Sequence, residues 1–148
     1  MSAGRICSRV VATASPSESV RLAAQRMTEH NVGTLVVLNG QGKVVGILTD
    51  RDVMTRCVAP ELDPSTTSVG DVMSESPRTV HESTPIEEVL DRMASTGVRR
   101  LVVTGDSADM IVEGVISLDD VIELLVEEAT AIGKILEKEE PRLNAAKA

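Results

Sequence analysis

Two pairs of residues in this sequence combine a hydroxyl group with a carboxylate three positions later. Thr49 precedes Asp52, and Ser117 precedes Asp120. A hydroxyl at the start of a helix lies beside free backbone N–H groups, which favour phosphate. The carboxylate, one turn into the helix, can accept hydrogen bonds from both hydroxyls of a ribose. The spacing therefore predicts a nucleotide cradle at each pair.

A second interpretation of the same spacing needs no ligand. A Ser or Thr followed after three residues by an acidic residue is also typical of a helix N-terminus that caps itself. The glycine that stands three residues before each hydroxyl, Gly46 or Gly114, allows another group to approach the backbone closely, as a ligand cradle requires. Because the pattern recurs in both halves of the chain, the ligand and cap interpretations both stay open.

The two pairs belong to two copies of one longer pattern. At an offset of 66 residues the first half of the chain matches the second, from Gly4 with Gly70 to Val37 with Val103, and the offset then becomes 68. Self-similarity over such a length predicts internal duplication. The two additional residues of the second copy fall between Val103 and Gly114, in a segment that resembles a hairpin loop, where insertions are tolerated.

The hydrophobic pattern predicts the same elements in each copy, in the order β-α-β-β-α. A short lead-in and an extended segment come first, and an amphipathic helix follows. Its N-cap is Ser17 or Ser19 in the first copy and Thr84, with Pro85 as the first helical residue, in the second. The residues that end these two helices, at positions that tolerate a positive φ, are Asn31 and Gly97.

Two strands and a second helix complete each copy. The strands are predicted, in chain order, at Thr34–Leu38, 44–48, Arg100–Thr104 and 111–116. The second helix begins near Asp50 in the first copy and near Leu118 in the second. The apolar stripe of this last helix continues well past the repeat, so we expect a long C-terminal helix that ends at Glu140, before Pro141.

A β-α-β-β-α unit with one apolar helix face cannot bury its sheet alone, whereas two units that pack sheet to sheet can. We therefore predict an α/β (α+β) fold of two repeats related by pseudo-twofold symmetry. The first repeat is expected at 1–60 and the second at 69–128, with a linker at 61–68. Residues 129–148 are expected to form the helix extension and a tail.

The composition argues against several functional classes. The chain has a formal net charge of −8 and no Phe, Tyr or Trp, so it lacks the cationic surface and the aromatic platforms that nucleic-acid binders use. It shows no secretory pattern and no apolar stretch long enough for a membrane span. We therefore expect a cytoplasmic protein with no membrane or nucleic-acid partner, in which Cys7 and Cys57 stay reduced.

The sequence shows no catalytic apparatus, and we expect the protein not to be an enzyme. It contains no P-loop and no Ser-His-Asp arrangement with a nucleophile elbow. His30 and His81 lack the spacing of metal ligands, and Asp50-Arg51-Asp52 is expected to begin a helix rather than to hold a metal. No tightly bound cofactor is predicted.

The region from about residue 5 to residue 127 resembles a pair of CBS domains, often called a Bateman module. The resemblance is carried by Val69-Gly70-Asp71-Val72-Met73 before Thr79-Val80, and by Gly46-x-x-Thr49-x-x-Asp52. It implies two repeats with clefts between them that hold an adenosine-type nucleotide. Many members have a proline before the apolar pair of the first strand, where this chain has Leu35 and Leu101.

The resemblance implies a nucleotide site for each copy. Phosphate and ribose are held by Thr49 and Asp52 in one site, and by Ser117 and Asp120 in the other. The residues that it implies around the base are Thr13, Ala14, Gly33 and Thr34 in the first copy, and Thr79, Val80, Arg99 and Arg100 in the second. We expect each cleft to mix the copies, so that Thr49 and Asp52 face Thr79 and the two arginines.

The two sites are expected to be unequal. Arg99 and Arg100 stand where the first copy has Gly33 and Thr34, and a guanidinium can bind a phosphate through two hydrogen bonds. Phosphate is therefore expected to bind more tightly in the cleft that contains the arginine pair, although the pair could also be a solvated strand end. Arg51 either reaches the same phosphate or lies at the surface.

These observations predict a regulatory module that binds an adenine nucleotide. AMP, ADP and ATP are the expected ligands, and S-adenosylmethionine and NAD are possible ones. The alternative is a structural pairing module whose clefts stay empty and which acts through a protein partner. In either case the resemblance implies a disc-like homodimer.

Overall fold

The computed structural model describes residues 1–147, with side-chain surroundings up to residue 139. The elements of the first copy are, in order, α1 (Ala3–Ile6), β1 (Thr13–Ala14), α2 (Val20–His30), β2 (Thr34–Leu38), β3 (Val44–Thr49), α3 (Asp50–Val53) and a π-helical segment (Met54–Val58). Those of the second copy are α4 (Val69–Val72), β4 (Ser74–Glu75), β5 (Thr79–His81), α5 (Ile86–Thr96), β6 (Arg100–Thr104), β7 (Val112–Ser117) and α6 (Leu118–Lys147).

The strands form two separate sheets with the same internal topology. The first sheet has the order β1-β2-β3-β4 and the second has the order β5-β6-β7. In each, the first strand pairs in parallel with the second, and the second pairs in antiparallel with the third. The predicted bounds Thr34–Leu38 and Arg100–Thr104 are those of β2 and β6, and the predicted duplication is confirmed as a repeated fold.

The helix ends follow the sequence pattern, with one displacement. Ser19 is the N-cap of α2, and its hydroxyl accepts a hydrogen bond from the Leu22 backbone N–H at 3.2 Å. The N-cap of α5 is Pro85 and not Thr84, so that prediction was wrong by one residue. The Thr84 hydroxyl instead accepts a hydrogen bond from the backbone N–H of His81, which holds the turn before the helix.

Each sheet buries one face against its helices. The first core comprises Ala14, Val20, Ala23, Met27, Leu35, Val37, Leu48, Cys57, Val69 and Val72. The second comprises Ala3, Val80, Ile86, Val89, Met93, Leu101, Val103, Ile116 and Val121. Val36 and Val102 lie on the opposite faces of β2 and β6, because side chains alternate along a strand. They are nevertheless 1% and 0% exposed, as expected where the two sheets pack face to face.

The lead-in of each copy, defined from here on as the residues before β1 (1–12) or from the start of the second repeat to β5 (69–78), packs into the other copy. Ala3 of α1 belongs to the second core, and Val69 of α4 belongs to the first. The chain after α1 pairs Ser8 with Val115 of β7, and the chain after α4 forms β4, which pairs with β3. The two packing units are therefore interlocked, and each contains a lead-in from the other half of the chain.

The glycines of the repeated pattern make this exchange possible. A Cβ atom at Gly114 would lie 2.5 Å from the carbonyl oxygen of Ser8 and 2.6 Å from Sγ of Cys7. A Cβ atom at Gly46 would collide with the Met73 side chain and lie 3.0 Å from the carbonyl oxygen of Ser74. The close approach that the sequence suggested for a ligand is thus made by the lead-in of the other copy, and that interpretation of the glycines was wrong.

The C-terminal helix is longer than the sequence predicted. It runs from Leu118 to Lys147, past the expected end at Glu140. A proline within a helix removes one backbone donor. The residues around Pro141 include Glu, Lys, Leu and Ala, which favour helix and let it continue. Among the residues that the structure describes, no helix has the length and hydropathy that a membrane crossing requires.

The lead-in exchange predicts that Gly114→Ala is destabilising. The new methyl group would press on the backbone of the lead-in, and overpacking of this kind typically costs about 1–3 kcal/mol. Thermal unfolding followed by circular dichroism measures the effect as a lower midpoint. Gly40→Ala is the matched control because no atom lies within 4 Å of its Cβ position. Equal midpoints for the two variants would contradict the exchange.

Candidate functional site

The two hydroxyl–carboxylate pairs form reciprocal caps. The Thr49 hydroxyl accepts a hydrogen bond from the Asp52 backbone N–H at 3.1 Å, and Asp52 Oδ2 accepts one from the Thr49 backbone N–H at 3.0 Å. Ser117 and Asp120 repeat the arrangement, at 3.2 Å and 2.8 Å. The cap interpretation of the spacing is therefore correct in both copies.

The cap leaves part of the Thr49–Asp52 pair available to a ligand. Asp52 uses Oδ2 for the cap, while its Oδ1 is 3.8 Å from the nearest Arg56 nitrogen, beyond hydrogen-bond distance. The Thr49 hydroxyl accepts a hydrogen bond in the cap, so its own hydrogen can still be donated. The cap thus fixes the orientation of both groups without using all of their hydrogen-bonding capacity.

A cleft of about 850 Å³ lies between the two copies beside the first pair. The first copy lines it with Ile47, Thr49, Asp50, Arg51 and Asp52. The second copy lines it with residues 74–78 of its lead-in and with residues 97–100, where α5 turns into β6. The structure therefore brings the expected Thr49, Arg51 and Asp52 together with Arg99 and Arg100.

Apart from the arginine pair, the residues expected around the base do not line this cleft. Thr79 and Val80 are absent from the lining of this cleft, and Val80 is buried in the second core. Ala14 is likewise buried in the first core. Parallel pairing with β2 or β6 draws these short strands into the sheets, so that Ala14 and Val80 pack into the cores. Thr79 is half-buried at the start of β5, and that it faces Thr49 and Asp52 stays a prediction.

The second expected site is not assembled as one cleft. Ser117 shares a cavity of about 270 Å³ with Arg99, Arg100, Leu118 and Asp119. Thr13 lines a different cavity of about 440 Å³, and Gly33 lines a third of about 520 Å³. Thr34 Oγ1 is buried and has no hydrogen-bond partner within the described part of the chain. Asp120 lines none of these cavities.

The large cleft concentrates positive charge in an acidic protein. Its four guanidinium groups, against three carboxylates, belong to Arg51, Arg78, Arg99 and Arg100. Arg99 is 3.9 Å from Asp119, with both side chains more than 70% exposed, and such a pair is weak. Within residues 1–139 the other three arginines have no carboxylate within 4.0 Å. The cleft can therefore attract an anion.

Arg78 is a lining residue that the sequence interpretation missed. It lies in the second lead-in, and its carbonyl oxygen accepts a hydrogen bond from the Val102 N–H at 3.2 Å, which holds it beside β6. The offset of 66 residues aligns it with Ala12. The alignment of the copies therefore carries the signal for Arg78, as a third replacement of a neutral residue by arginine in the second copy.

The helix that follows Thr49 contributes less to anion binding than the sequence suggested. α3 spans only Asp50–Val53 and passes directly into the π-helical segment. The three backbone N–H groups at its start are already hydrogen-bonded: that of Asp50 to the Gly33 carbonyl oxygen, that of Arg51 to Asp50 Oδ1 and that of Asp52 to the Thr49 hydroxyl. The case for phosphate at this cleft therefore depends on the arginines.

Two groups outside the cleft have shifted pKa values. Burial raises the pKa of the Cys7 thiol, although nearby Arg9 opposes the shift, so this thiol is protonated at neutral pH. Burial would also raise the pKa of Glu18, but hydrogen bonds from Arg26 and from the Ser15 N–H, with the Arg26 charge, lower it overall. Among the described residues, no group of three or more His, Cys, Asp and Glu is placed to hold a metal ion.

Comparison with known proteins places the chain in a family. The CBS domain profile matches residues 3–59 and 69–127. An uncharacterized protein of Methanopyrus kandleri is 31% identical over 124 residues, which span 84% of this chain and 62% of that protein.

Two solved structures share the fold. A putative signal-transduction protein with CBS domains from Burkholderia ambifaria has a TM-score of 0.77 at 25% identity, and the match covers 86% of this chain and 95% of that one. The CBS domain pair of protein MJ0100, in complex with 5'-methylthioadenosine and S-adenosyl-L-methionine, has a TM-score of 0.76 at 24% identity, with 86% and 98% covered. This chain belongs to the CBS domain family and contains two tandem CBS domains.

Proposed function

We propose that this protein is a regulatory module that binds an adenine nucleotide (AMP, ADP or ATP) in the large cleft between its two CBS domains. The observation that carries the proposal is the meeting of the capped Thr49–Asp52 turn with four arginines in one cleft of about 850 Å³. This volume lies within the range of about 300–1,000 Å³ of small-molecule sites. The two repeats contribute different chemistry to it.

Each part of a nucleotide has a counterpart in the cleft. Asp52 Oδ1, which forms no hydrogen bond in the cap and lies 3.8 Å from Arg56, can accept a hydrogen bond from a ribose hydroxyl, and the arginines can bind phosphate through charge-assisted hydrogen bonds. Ile47, Pro77 and Val98 provide apolar surface for a base. The MJ0100 domain pair, which shares the fold, holds two adenosine-type ligands, and this supports the choice of an adenine nucleotide.

We propose a non-catalytic role in the cytoplasm. The related proteins described above are uncharacterized or CBS domain proteins, and none of them is named as an enzyme. The described lining of the cleft includes no His or Cys that could act as a base or a nucleophile. Both cysteines are free thiols, which suits a reducing compartment rich in adenine nucleotides.

The proposal predicts that one adenine nucleotide raises the unfolding temperature. A ligand at about 100 times its Kd adds roughly 2.7 kcal/mol of stability, which corresponds to an increase of several degrees in the midpoint. The measurement is a circular dichroism melt with AMP, ADP, ATP, S-adenosylmethionine and NAD in turn, since the chain has no Trp or Tyr for fluorescence. If none of the five changes the midpoint, the proposal fails.

The Asp52→Asn variant tests the ribose contact without removing the cap. Asparagine Oδ1 can still accept the Thr49 N–H, while the negative charge is lost. We expect nucleotide affinity to fall about tenfold, the effect of one weakened hydrogen bond to a charged group, as measured by isothermal titration calorimetry. Asp120→Asn makes the same change in the other cap, which does not line the cleft, and it should have a smaller effect.

Replacing the arginine pair tests the phosphate contact. The double variant Arg99→Gln/Arg100→Gln should weaken ATP binding roughly 10- to 100-fold, the range for hydrogen bonds to charged groups. Adenosine should lose much less affinity, because it has no phosphate. Titration calorimetry with both ligands measures the two losses. Arg21→Gln removes an exposed arginine of α2 outside the cleft and serves as the control; equal losses for ATP and adenosine would contradict the assignment.

A second candidate function, a pairing module, is favoured by the surface of α6. Six large apolar side chains of this helix are between 47% and 59% exposed: Ile122, Leu125, Val126, Ile132, Ile135 and Leu136. Most of them follow spacings of three and four residues, which form a stripe on one face of a helix. An exposed stripe of this length is typical of an interface, here with a second copy of the chain.

The pairing function predicts a homodimer that depends on this stripe. Leu125→Glu/Ile132→Glu should convert the dimer to a monomer, because the charges would be buried in the interface. Light scattering coupled to size-exclusion chromatography measures the mass. Lys134→Glu, on the polar face of the same helix, should leave the dimer intact. A monomeric wild-type protein would exclude pairing through α6.

A further inference from the structure

Arg56 is a charged side chain next to two lining residues of the large cleft, and the nucleotide contacts proposed above do not use it. Its Nη1 donates hydrogen bonds to the Val72 carbonyl oxygen at 3.1 Å and to the Ser74 hydroxyl at 3.2 Å. Both acceptors belong to the lead-in of the second copy, and Ser74 lines the cleft. Arg56 therefore connects the helical segment that follows the Thr49–Asp52 turn to the wall that the second copy contributes.

The same nitrogen lies beside the Asp52 carboxylate without bonding to it. Nη1 is 3.8 Å from Asp52 Oδ1, and the two N–H groups of this nitrogen are already used by the lead-in acceptors. Asp52 is only 9% exposed, and burial of a carboxylate is costly unless an opposite charge compensates it. The Arg56 guanidinium supplies that charge and leaves Oδ1 able to accept a hydrogen bond.

This arrangement belongs to the first copy. The offset of 68 residues aligns Arg56 with Leu124, and within residues 1–139 no Lys, Arg or His nitrogen lies within 4.0 Å of the Asp120 carboxylate. Arg56 also lies in the π-helical segment, where the Ala59 N–H donates to the Met54 carbonyl oxygen. Segments of this kind are frequent at functional sites. Since the second copy folds without this arginine, the fold of a repeat does not require it.

We infer that Arg56 is a positioning residue, which acts through Asp52 to prepare that carboxylate for the ribose of the bound nucleotide. The inference rests on the proposed function and specifies the part of the ligand that Arg56 serves. The guanidinium compensates the charge beside Oδ1, while its hydrogen bonds to the lead-in keep it from turning onto that oxygen. Its contribution to affinity therefore requires the ribose hydroxyls.

The test compares a nucleotide with an analogue that lacks both ribose hydroxyls. Titration calorimetry identifies the tightest binder among AMP, ADP and ATP, and the same measurement is made with its 2',3'-dideoxy analogue. Arg56→Leu, which introduces the residue of the aligned position, should weaken binding of the nucleotide about tenfold, the effect of one weakened hydrogen bond to a charged group. The dideoxy analogue should lose much less affinity.

Two further variants separate the charge of Arg56 from its presence. Arg56→Lys keeps the charge and three N–H donors, and it should retain most of the preference for the nucleotide over the dideoxy analogue. Arg56→Gln keeps a donor without the charge and should show the same selective loss as Arg56→Leu. The glutamine variant keeps the test decisive if the leucine variant does not fold.

A double-mutant cycle tests whether the effect passes through Asp52. In the Asp52→Asn background, Arg56→Leu should weaken nucleotide binding much less than it does in the wild type, because the carboxylate charge that it compensates is gone. Residues that act independently give losses that multiply, whereas coupled residues do not. Full multiplication of the two losses would overturn the inference.

Arg9→Leu is the matched control. Arg9 has an exposure similar to that of Arg56 and also holds a lead-in, through hydrogen bonds to the Gly4 carbonyl oxygen and to Glu113, but it does not line the cleft. Its replacement should leave the nucleotide Kd unchanged.

The outcomes separate this inference from the proposed function. Equal losses for the nucleotide and the dideoxy analogue in Arg56→Leu would overturn the inference and leave the proposed function in place. Equal wild-type affinities for the two ligands would do the same. No binding of AMP, ADP or ATP by the wild type would overturn both.

Discussion

The close approach of each lead-in to the other copy is the contact on which the rest of the structure depends. It requires the absence of a side chain at Gly46 and Gly114, where the lead-in backbone lies within about 3 Å of a Cβ position. The same exchange carries α1 and α4 into the opposite cores and places residues 74–78 as one wall of the cleft. A single copy could therefore form neither its own core nor the cleft.

Local sequence patterns predicted the helices and strands well, but they did not predict the exchange of lead-ins between the copies. The strands Thr34–Leu38 and Arg100–Thr104 were predicted with the bounds that the structure has, because apolar residues and flanking turns specify them within a few positions. The partner of a lead-in is decided by which sheet edge is open after folding, and no local pattern encodes that choice. The N-cap of α5 was displaced by one residue because Pro85, with φ of −63° and ψ of 150°, itself has the extended conformation of a cap.

The candidate site was predictable where it depends on repeat alignment, and unpredictable where it depends on packing. Alignment of the copies singled out the Thr49–Asp52 turn and the arginine pair, which the structure brings to one cleft. Whether a side chain faces a cleft or a core is decided by strand pairing, which placed Val80 in the core. The cavity beside Ser117 is small because of how the surrounding side chains of the second copy pack. Its size could therefore not be inferred from the spacing of residues in the sequence.

The two copies differ at pairs of neighbouring positions, and this explains why the arginine pair occurs only in the second copy. A Cβ atom at Gly33 would lie 2.9 Å from Asp50 Oδ2, so the first copy cannot carry a side chain there while Asp50 keeps its place. In the second copy Leu118 stands at the position equivalent to Asp50, and Arg99 has room and an acidic neighbour in Asp119. The residue types at these two positions are therefore coupled: glycine occurs with aspartate in the first copy, and arginine occurs with leucine in the second. Duplication produced two copies with similar backbones. The coupled replacements then placed the arginine pair in the second copy, where it lines the large cleft.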